Sequence, residues 1–274
     1  MPIPPPGRTF ATLDSFWTGD AEWVVDVPDV GLPVGESDTV YRGGNEFWSY
    51  LHASFESAGV VDSCGQPVPF PGCVTLWQSF DGGRSFSLMS PICLFPCAAC
   101  PCVPGRDHTG QQQYPRVFAG AAQMHIVYEW GAGTYYRTSG DGIHWSMETR
   151  VPGTGQWMAD GCPEAASIGD HPNIYAETEY GNCLVGAPPG VYVEGDRLYV
   201  FVGLGRNPGH MGCLEGDVRA GAADLRPCGS NPLFGAEHGY GPMEARGAEA
   251  NAFFEFRTVS SADVVHVGDR YYMT

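Results

Sequence analysis

Along this chain, short apolar runs alternate with polar positions at the two-residue period of a half-buried strand, as in Arg197-Leu198-Tyr199-Val200-Phe201-Val202. Turn residues bound each run, and no long helical periodicity interrupts them. Four stretches share one layout: a short approach, an apolar strand, a polar turn, then an aromatic strand. They are Ser37–Trp48, Tyr114–Gly120, Pro189–Val200 and Ala262–Met273. Anchored on Val40, Val117, Val191 and Val264, they are offset by 77, 74 and 73 residues.

A fixed period means that each unit cannot bury its apolar face alone and must stack on its neighbours. For all-β units the expected outcome is a β-propeller, a ring of sheets about a central channel. The period exceeds the roughly 40–50 residues of a bare blade, so the first and third units are expected to carry insertions. Residues 1–36 form an N-terminal segment and 37–274 the blades. The chain stops at Thr274 inside an expected strand. The ring is therefore expected to be partial or open, or closed by strands at Thr9–Phe16 and Glu22–Val27.

Charge narrows the chemistry. All 14 basic residues are Arg, so Schiff-base lysines, phosphate-loop lysines and lysine general bases are excluded. With 31 acidic residues the formal charge is −17, which argues against a nucleic-acid partner, since phosphate binding needs clustered positive charge. No apolar run is long enough to span a membrane. Met1–Pro6 shows neither the basic start nor the apolar core of a signal peptide.

Ten cysteines fall in local sets: Cys64 and Cys73; Cys93, Cys97, Cys100 and Cys102; Cys162 and Cys183; Cys213 and Cys228. An even count in a loop-rich chain predicts disulfides that staple the insertions, and with them an extracellular or cell-surface location. The run from Cys93 to Cys102 could instead hold zinc as four thiolates, although its spacing lacks paired C-x2-C knuckles. Segment 160–180 offers Ca²⁺-type oxygen ligands without a calcium-loop motif. No other cofactor is expected.

Two turn sequences stand between the repeated strands: Ser79-Phe80-Asp81-Gly82-Gly83-Arg84-Ser85-Phe86 and the shorter Ser139-Gly140-Asp141-Gly142-Ile143-His144-Trp145. In each, Asp would accept backbone N–H bonds, Gly would supply positive φ, and the aromatic ring would tuck beneath. The first resembles the Asp-box of bacterial neuraminidase repeats. The second resembles the corresponding turn of five-bladed glycosidase propellers. From about Thr39 onward the chain resembles the five-bladed glycoside-hydrolase superfamily of arabinanases and invertases, with sialidase-like propellers nearby. In those families such turns lie on the outside of a blade, which implies structural roles for Asp81 and Asp141.

The resemblance also implies where chemistry would lie. The start of each innermost strand faces the channel mouth, and an Asp there in the first blade serves as base or nucleophile. Asp38 holds that position. A second carboxylate would be the acid, because glycoside cleavage needs one group to protonate the leaving oxygen and another to activate attack. Candidates are Glu129, Glu177, Glu179 and Asp263. The third unit offers Pro188-Pro189-Gly190 where the family carries a middle-blade Asp, and a sialidase's arginine triad is absent. Tyr114, Arg116, Trp48, Trp130 and His108, the last in a polar approach with Gln111–Gln113, are candidate substrate contacts, although aromatics more often fill interblade core.

The expected function is thus glycoside-hydrolase-like, cleaving or binding a glycan through paired carboxylates. The alternative is a non-catalytic extracellular propeller for binding, adhesion or assembly, with self-association through an open blade edge.

Overall fold

The computed structural model describes residues 30–33, 35–102, 112–120, 122–130, 133–151, 184–204, 210–228, 233 and 262–273. The expected N-terminal strands, segment 160–180, Glu177, Glu179 and His108 lie outside the described residues. Within them the chain is all-β. The first sheet runs in the order β1 (Ser37–Gly43), β2 (Glu46–Ala53), β3 (Cys73–Ser79), β4 (Ser87–Leu88), with a one-turn helix α1 (Phe55–Ala58) after β2. The second contains β5 (Gln113–Ala119), β6 (Met124–Trp130), β7 (Gly133–Ser139) and β8 (Thr149–Arg150). The third contains β9 (Leu184–Glu194), β10 (Arg197–Leu204), β11 (His210–Asp217) and β12 (Arg226–Pro227). A two-stranded sheet, β13 (Val264–Val267) and β14 (Arg270–Met273), follows.

The sequence repeat is a repeat of strand register. Val117 pairs with Ile126, Val191 with Val200 and Val264 with Met273. In the first unit Val40 pairs with Trp48, the register slipping at a bulge between Tyr41 and Gly43. Each sheet is an antiparallel meander, and the leading strands β1, β5, β9 and β13 pack successively on one another. Val191 also makes a parallel bridge to Asp263, just before β13. These are blades of a propeller, packed face to face in chain order.

Period-two alternation divides each blade between two seams. On β2, Trp48 and Tyr50 enter the seam with the second blade, alongside Val74 and Leu76, and meet Val117, Met124, Ile126 and Tyr128. Leu51 and Ala53 turn the other way, onto Val60, Val68 and Trp77. On β6 the intervening Val127 joins Tyr136 against Leu198, Val200 and Leu214 of the third blade. Ile126 is wholly buried, and cutting such a side chain to Ala costs about 2–5 kcal/mol.

The outer hairpins carry the two Asp turns. Asp81 Oδ1 accepts from the N–H groups of Arg84 (2.9 Å) and Ser85 (3.0 Å), and Oδ2 from Ser85 Oγ (2.6 Å). Asp141 Oδ1 accepts from the N–H groups of Ile143 and His144, both at 2.8 Å. Both carboxyls are held well below the usual range, by hydrogen bonds led by Ser85 for Asp81 and by His144 for Asp141. Their positions, between β3 and β4 and between β7 and β8, make them fasteners of the blade periphery.

Disulfides join Cys73 to Cys93, Cys64 to Cys100, Cys97 to Cys102 and Cys213 to Cys228. The first three staple the insertions flanking β3 and β4. Among the described residues no helix is long and apolar enough to cross a membrane.

Candidate active site

The beginnings of β1, β5 and β13 bring three predicted residues into one electrostatic neighbourhood. Asp38 faces the second blade, and its Oδ2 accepts the backbone N–H of Val117 at 2.7 Å. Burial pushes the Asp38 carboxyl up; the Val117 hydrogen bond and the nearby Arg116 guanidinium work against that, and the charge of Asp263 adds to it. Asp263 is itself exposed.

Glu129 lies at the end of β6, in register with Gln113 at the start of β5. Alternation places it on the face of Val127, toward the third blade. It is 8% exposed, and its Oε2 has no hydrogen-bond partner among the described residues. Burial first, then the charge of Glu36, pushes its carboxyl up to about 8. At neutral pH it is therefore mostly protonated, a carboxylic acid holding a proton it can give.

Three further groups complete the seam, and the sequence reading passed over two of them. Glu36 stands two residues before Asp38, hence on the same face of the strand, and its Oε2 lies 3.0 Å from His52 Nε2. Burial holds His52 below its ordinary range, opposed by Glu36. A neutral His52 that donates from Nε2 leaves Nδ1 as a bare acceptor, and that atom is buried without a partner among the described residues. Gln112, wholly buried, accepts the Val74 N–H at 3.1 Å through Oε1, while its Nε2 donor is likewise unpartnered among them.

Tyr114 packs edge-on against the His52 ring, with centroids 6.2 Å apart, and adopts φ of +50°. That is the left-handed region, costly for a bulky aromatic residue and most often kept at functional sites. Burial and the charges of Glu36 and Glu129 raise its phenol. This seam thus presents an acceptor on His52 and a donor on Gln112, while Glu129 turns its carboxyl to the other face of β6. Buried polar groups are normally satisfied; His52 Nδ1, Gln112 Nε2 and Glu129 Oε2 are not, among the described residues.

Other predicted residues fall elsewhere. Arg116 is half-buried, with Nη1 donating to the Pro115 carbonyl at 3.2 Å. Trp130, half-buried beside Glu129, makes an edge contact with Tyr135. Trp48, expected among the substrate contacts, is instead buried in the interblade core beneath the Arg42 guanidinium, 4.5 Å from its ring centroid. Its place on the face of β2 shared with Tyr50 puts it there. A cavity of about 640 Å³ opens beside β10, β11 and β14, lined by Tyr192, Tyr199, Phe201 and Tyr271 among others, and includes none of the mouth carboxylates.

The third unit has Pro189 and Gly190, and no carboxylate, at the matching point. A Cβ on Gly190 would lie 2.1 Å from the Ala262 carbonyl oxygen. Backbone of the next unit fills the space a side chain at 190 would need.

No protein-family model matches the sequence, and no curated protein does. Solved structures do. A thermostable family-43 glycoside hydrolase superposes with a TM-score of 0.50 at 10% identity, over 86% of this chain and 63% of that one. The exo-1,5-alpha-L-arabinanase from a bovine ruminal metagenomic library gives 0.48 at 11% identity, over 88% and 63%. The Bombyx mori GH32 beta-fructofuranosidase gives 0.45 at 12%, over 86% and 41%. The chain spans less than two thirds of each of these proteins. At such identities the likeness shows the fold: an all-β propeller of the kind found in glycoside hydrolases.

Proposed function

We propose that this chain is a carbohydrate-active propeller that hydrolyses a glycan at its channel mouth. Asp38 is the base or nucleophile and Glu129 the acid. The observation that carries this reading is the contrast between the two carboxyls. Burial raises both, Glu129 to about 8 with Oε2 unpartnered among the described residues, whereas for Asp38 a peptide N–H and a nearby guanidinium work against that rise. A carboxyl with nothing to offset its burial suits the acid, and one with a donor and a cation beside it suits the charged partner.

In this reading Glu129 protonates the departing oxygen while Asp38 supports attack at the anomeric carbon. His52 Nδ1 and Gln112 Nε2 orient sugar hydroxyls, Tyr114 and Arg116 contact the ring, Trp130 borders it, and Asp263 is a third carboxylate on the rim. The disulfides fit an oxidising, extracellular setting. The test is turnover of a panel of aryl furanosides and pyranosides by the purified protein, alongside Asp38→Asn and Glu129→Gln. Loss in both variants with an unchanged circular dichroism spectrum supports the assignment. Unchanged turnover in either removes that residue from its role.

A second reading rests on Gly190. With backbone crowding Gly190, the third unit offers no carboxylate, among the described residues, where the arabinanase-type enzymes it resembles carry a middle acid. A propeller that binds glycans without cleaving them would saturate in calorimetry with oligosaccharides and release no product.

A further inference from the structure

Two disulfides meet on the surface of the first blade. Cys64 Sγ lies 3.6 Å from Cys102 Sγ, each belonging to a different bridge. The sulfurs of Cys64, Cys97 and Cys102 all lie within 4.8 Å of one another, and Cys100 is bonded to Cys64. Four sulfurs are thus gathered in one small cluster. A tetrahedral thiolate site with metal–sulfur bonds of about 2.3 Å has sulfur–sulfur edges of about 3.8 Å. The Cys64–Cys102 contact is already near that length.

The scaffold beneath the cluster does not depend on its two bridges. Asp62 Oδ1 accepts from the N–H groups of Cys64 (2.8 Å) and Gln66 (2.9 Å), fixing the turn that carries Cys64. Val61 donates its N–H to the Pro91 carbonyl and accepts from the Cys93 N–H, joining that turn to the segment leading to Cys97. The Cys97 N–H donates to Ser63 Oγ at 2.9 Å. Below them Cys73–Cys93 is sealed in the core, at 0% and 5% exposure, whereas Cys100 is exposed and Cys64, Cys97 and Cys102 are half-buried. A reductant reaches the outer pairs first.

We propose that Cys64, Cys97, Cys100 and Cys102 form a redox-gated site for a soft divalent cation such as Zn²⁺, cross-linked when oxidised and metal-clamped when reduced. In the forward step two equivalents of a dithiol each donate two electrons and two protons. Both S–S bonds break to give four cysteine thiols, and each dithiol closes to a cyclic disulfide. The cation then binds four thiolates and displaces four protons. Soft thiolates in tetrahedral array select Zn²⁺ over the hard cations that oxygen ligands prefer.

The experiment is anaerobic reduction of the whole chain with limiting dithiol, removal of the reductant, and titration with Co²⁺ as the optical probe. The expected result is one equivalent of tetrahedral Co²⁺–thiolate, seen in its visible bands and bleached by one equivalent of Zn²⁺. Alkylation before metal addition labels the four cluster cysteines and spares Cys73 and Cys93. Replacing Cys162, Cys183, Cys213 and Cys228 by Ser leaves the signal, and Cys64→Ser with Cys102→Ser abolishes it. The latter variant is checked for fold by circular dichroism. Six-coordinate Co²⁺ spectra in the reduced protein, labelling of Cys73 and Cys93 ahead of the cluster, or bands that survive Cys64→Ser with Cys102→Ser would each overturn the proposal.

Discussion

Asp38 on the first blade and Val117 on the second are joined by a 2.7 Å hydrogen bond from peptide N–H to carboxylate. The bond ties the leading strands of two blades at the mouth and favours the charged form of a carboxyl that burial disfavours. Asparagine keeps the accepting oxygen and removes the charge. Asp38→Asn should therefore melt close to the native protein while kcat/KM on any cleaved glycoside falls about 10²–10⁴-fold, the range of a lost acid–base group. A large loss of thermal stability with turnover retained would reassign Asp38 to a structural tie.

Glu129 makes stability depend on pH with a definite sign. Its folded-state carboxyl titrates near 8, against an ordinary value of 4.5. Between those values the folded chain holds a proton that the unfolded chain has released. Its contribution is present below about pH 4.5 and is lost as pH rises through 8, at up to about 1.4 kcal/mol per pH unit.

His125 has the opposite sign. Stacked on Phe118 and hydrogen-bonded to Tyr136, it is lowered by burial to about 4 from 6.5. Stability from this residue is lost as pH falls from about 6.5 to 4. The two slopes oppose each other in mildly acidic solution, and above pH 6.5 only that of Glu129 remains. Denaturant titrations from pH 6.5 to 8.5 should show declining stability in the native protein and a flatter profile in Glu129→Gln.

Gly142 and Gly82 separate backbone strain from crowding. Both occupy the left-handed region, at φ of +82° and +81°. A Cβ at Gly142 would lie 2.7 Å from Met124 Sδ and from Tyr50 Oη, and 2.9 Å from the Trp48 ring, whereas one at Gly82 meets nothing within 4 Å. Gly82→Ala should cost about 1 kcal/mol, from conformation alone. Gly142→Ala should cost about 1–3 kcal/mol more, because the added methyl overpacks the first seam. Equal melting temperatures would refute the packing assigned to that turn.

Arg137 is buried among four partners. It donates to the Ser146 carbonyl (2.8 Å) and Tyr128 Oη (3.0 Å), pairs with Glu148 at 3.2 Å, and lies 4.4 Å from the Phe95 ring centroid. Arg137→Met should destabilise by about 3–5 kcal/mol, as expected when one member of a buried charge pair is removed. Arg137→Lys should restore only part of this, because an ammonium lacks the planar fork that reaches the partners together. Chemical denaturation of both variants is the check.

The strands and their stacking were legible because burial imposes period two, and because turns such as Gly195-Asp196 and Gly268-Asp269 repeat at matching offsets. Asp38 was legible as the carboxylate that opens the first repeat. Glu36 and His52 were not singled out. Glu36 precedes β1, and its alignment with Asp38 on one face emerges only from alternation counted backward. His52 looks like one more residue of an apolar strand until β1 is laid beside β2. Trp48 stands in the core rather than at a ligand surface for a related reason: an aromatic at a strand centre serves a seam or a ligand according to which blade lies opposite, which one strand's pattern does not encode. Cysteine pairing was equally hidden, since Cys64 bonds Cys100 rather than its neighbour in sequence, Cys73.

The contact between Gly190 and the Ala262 carbonyl restricts how the chain can evolve. Any point mutation at Gly190 adds a methyl group or more against main chain, so position 190 is closed to new acids and bases. Under the proposed function, new acids and bases are left to the other positions at the mouth. Directed-evolution libraries aimed at positions 36, 52, 112, 114 and 116 would explore that open ground, whereas libraries at 190 should return only the parental glycine.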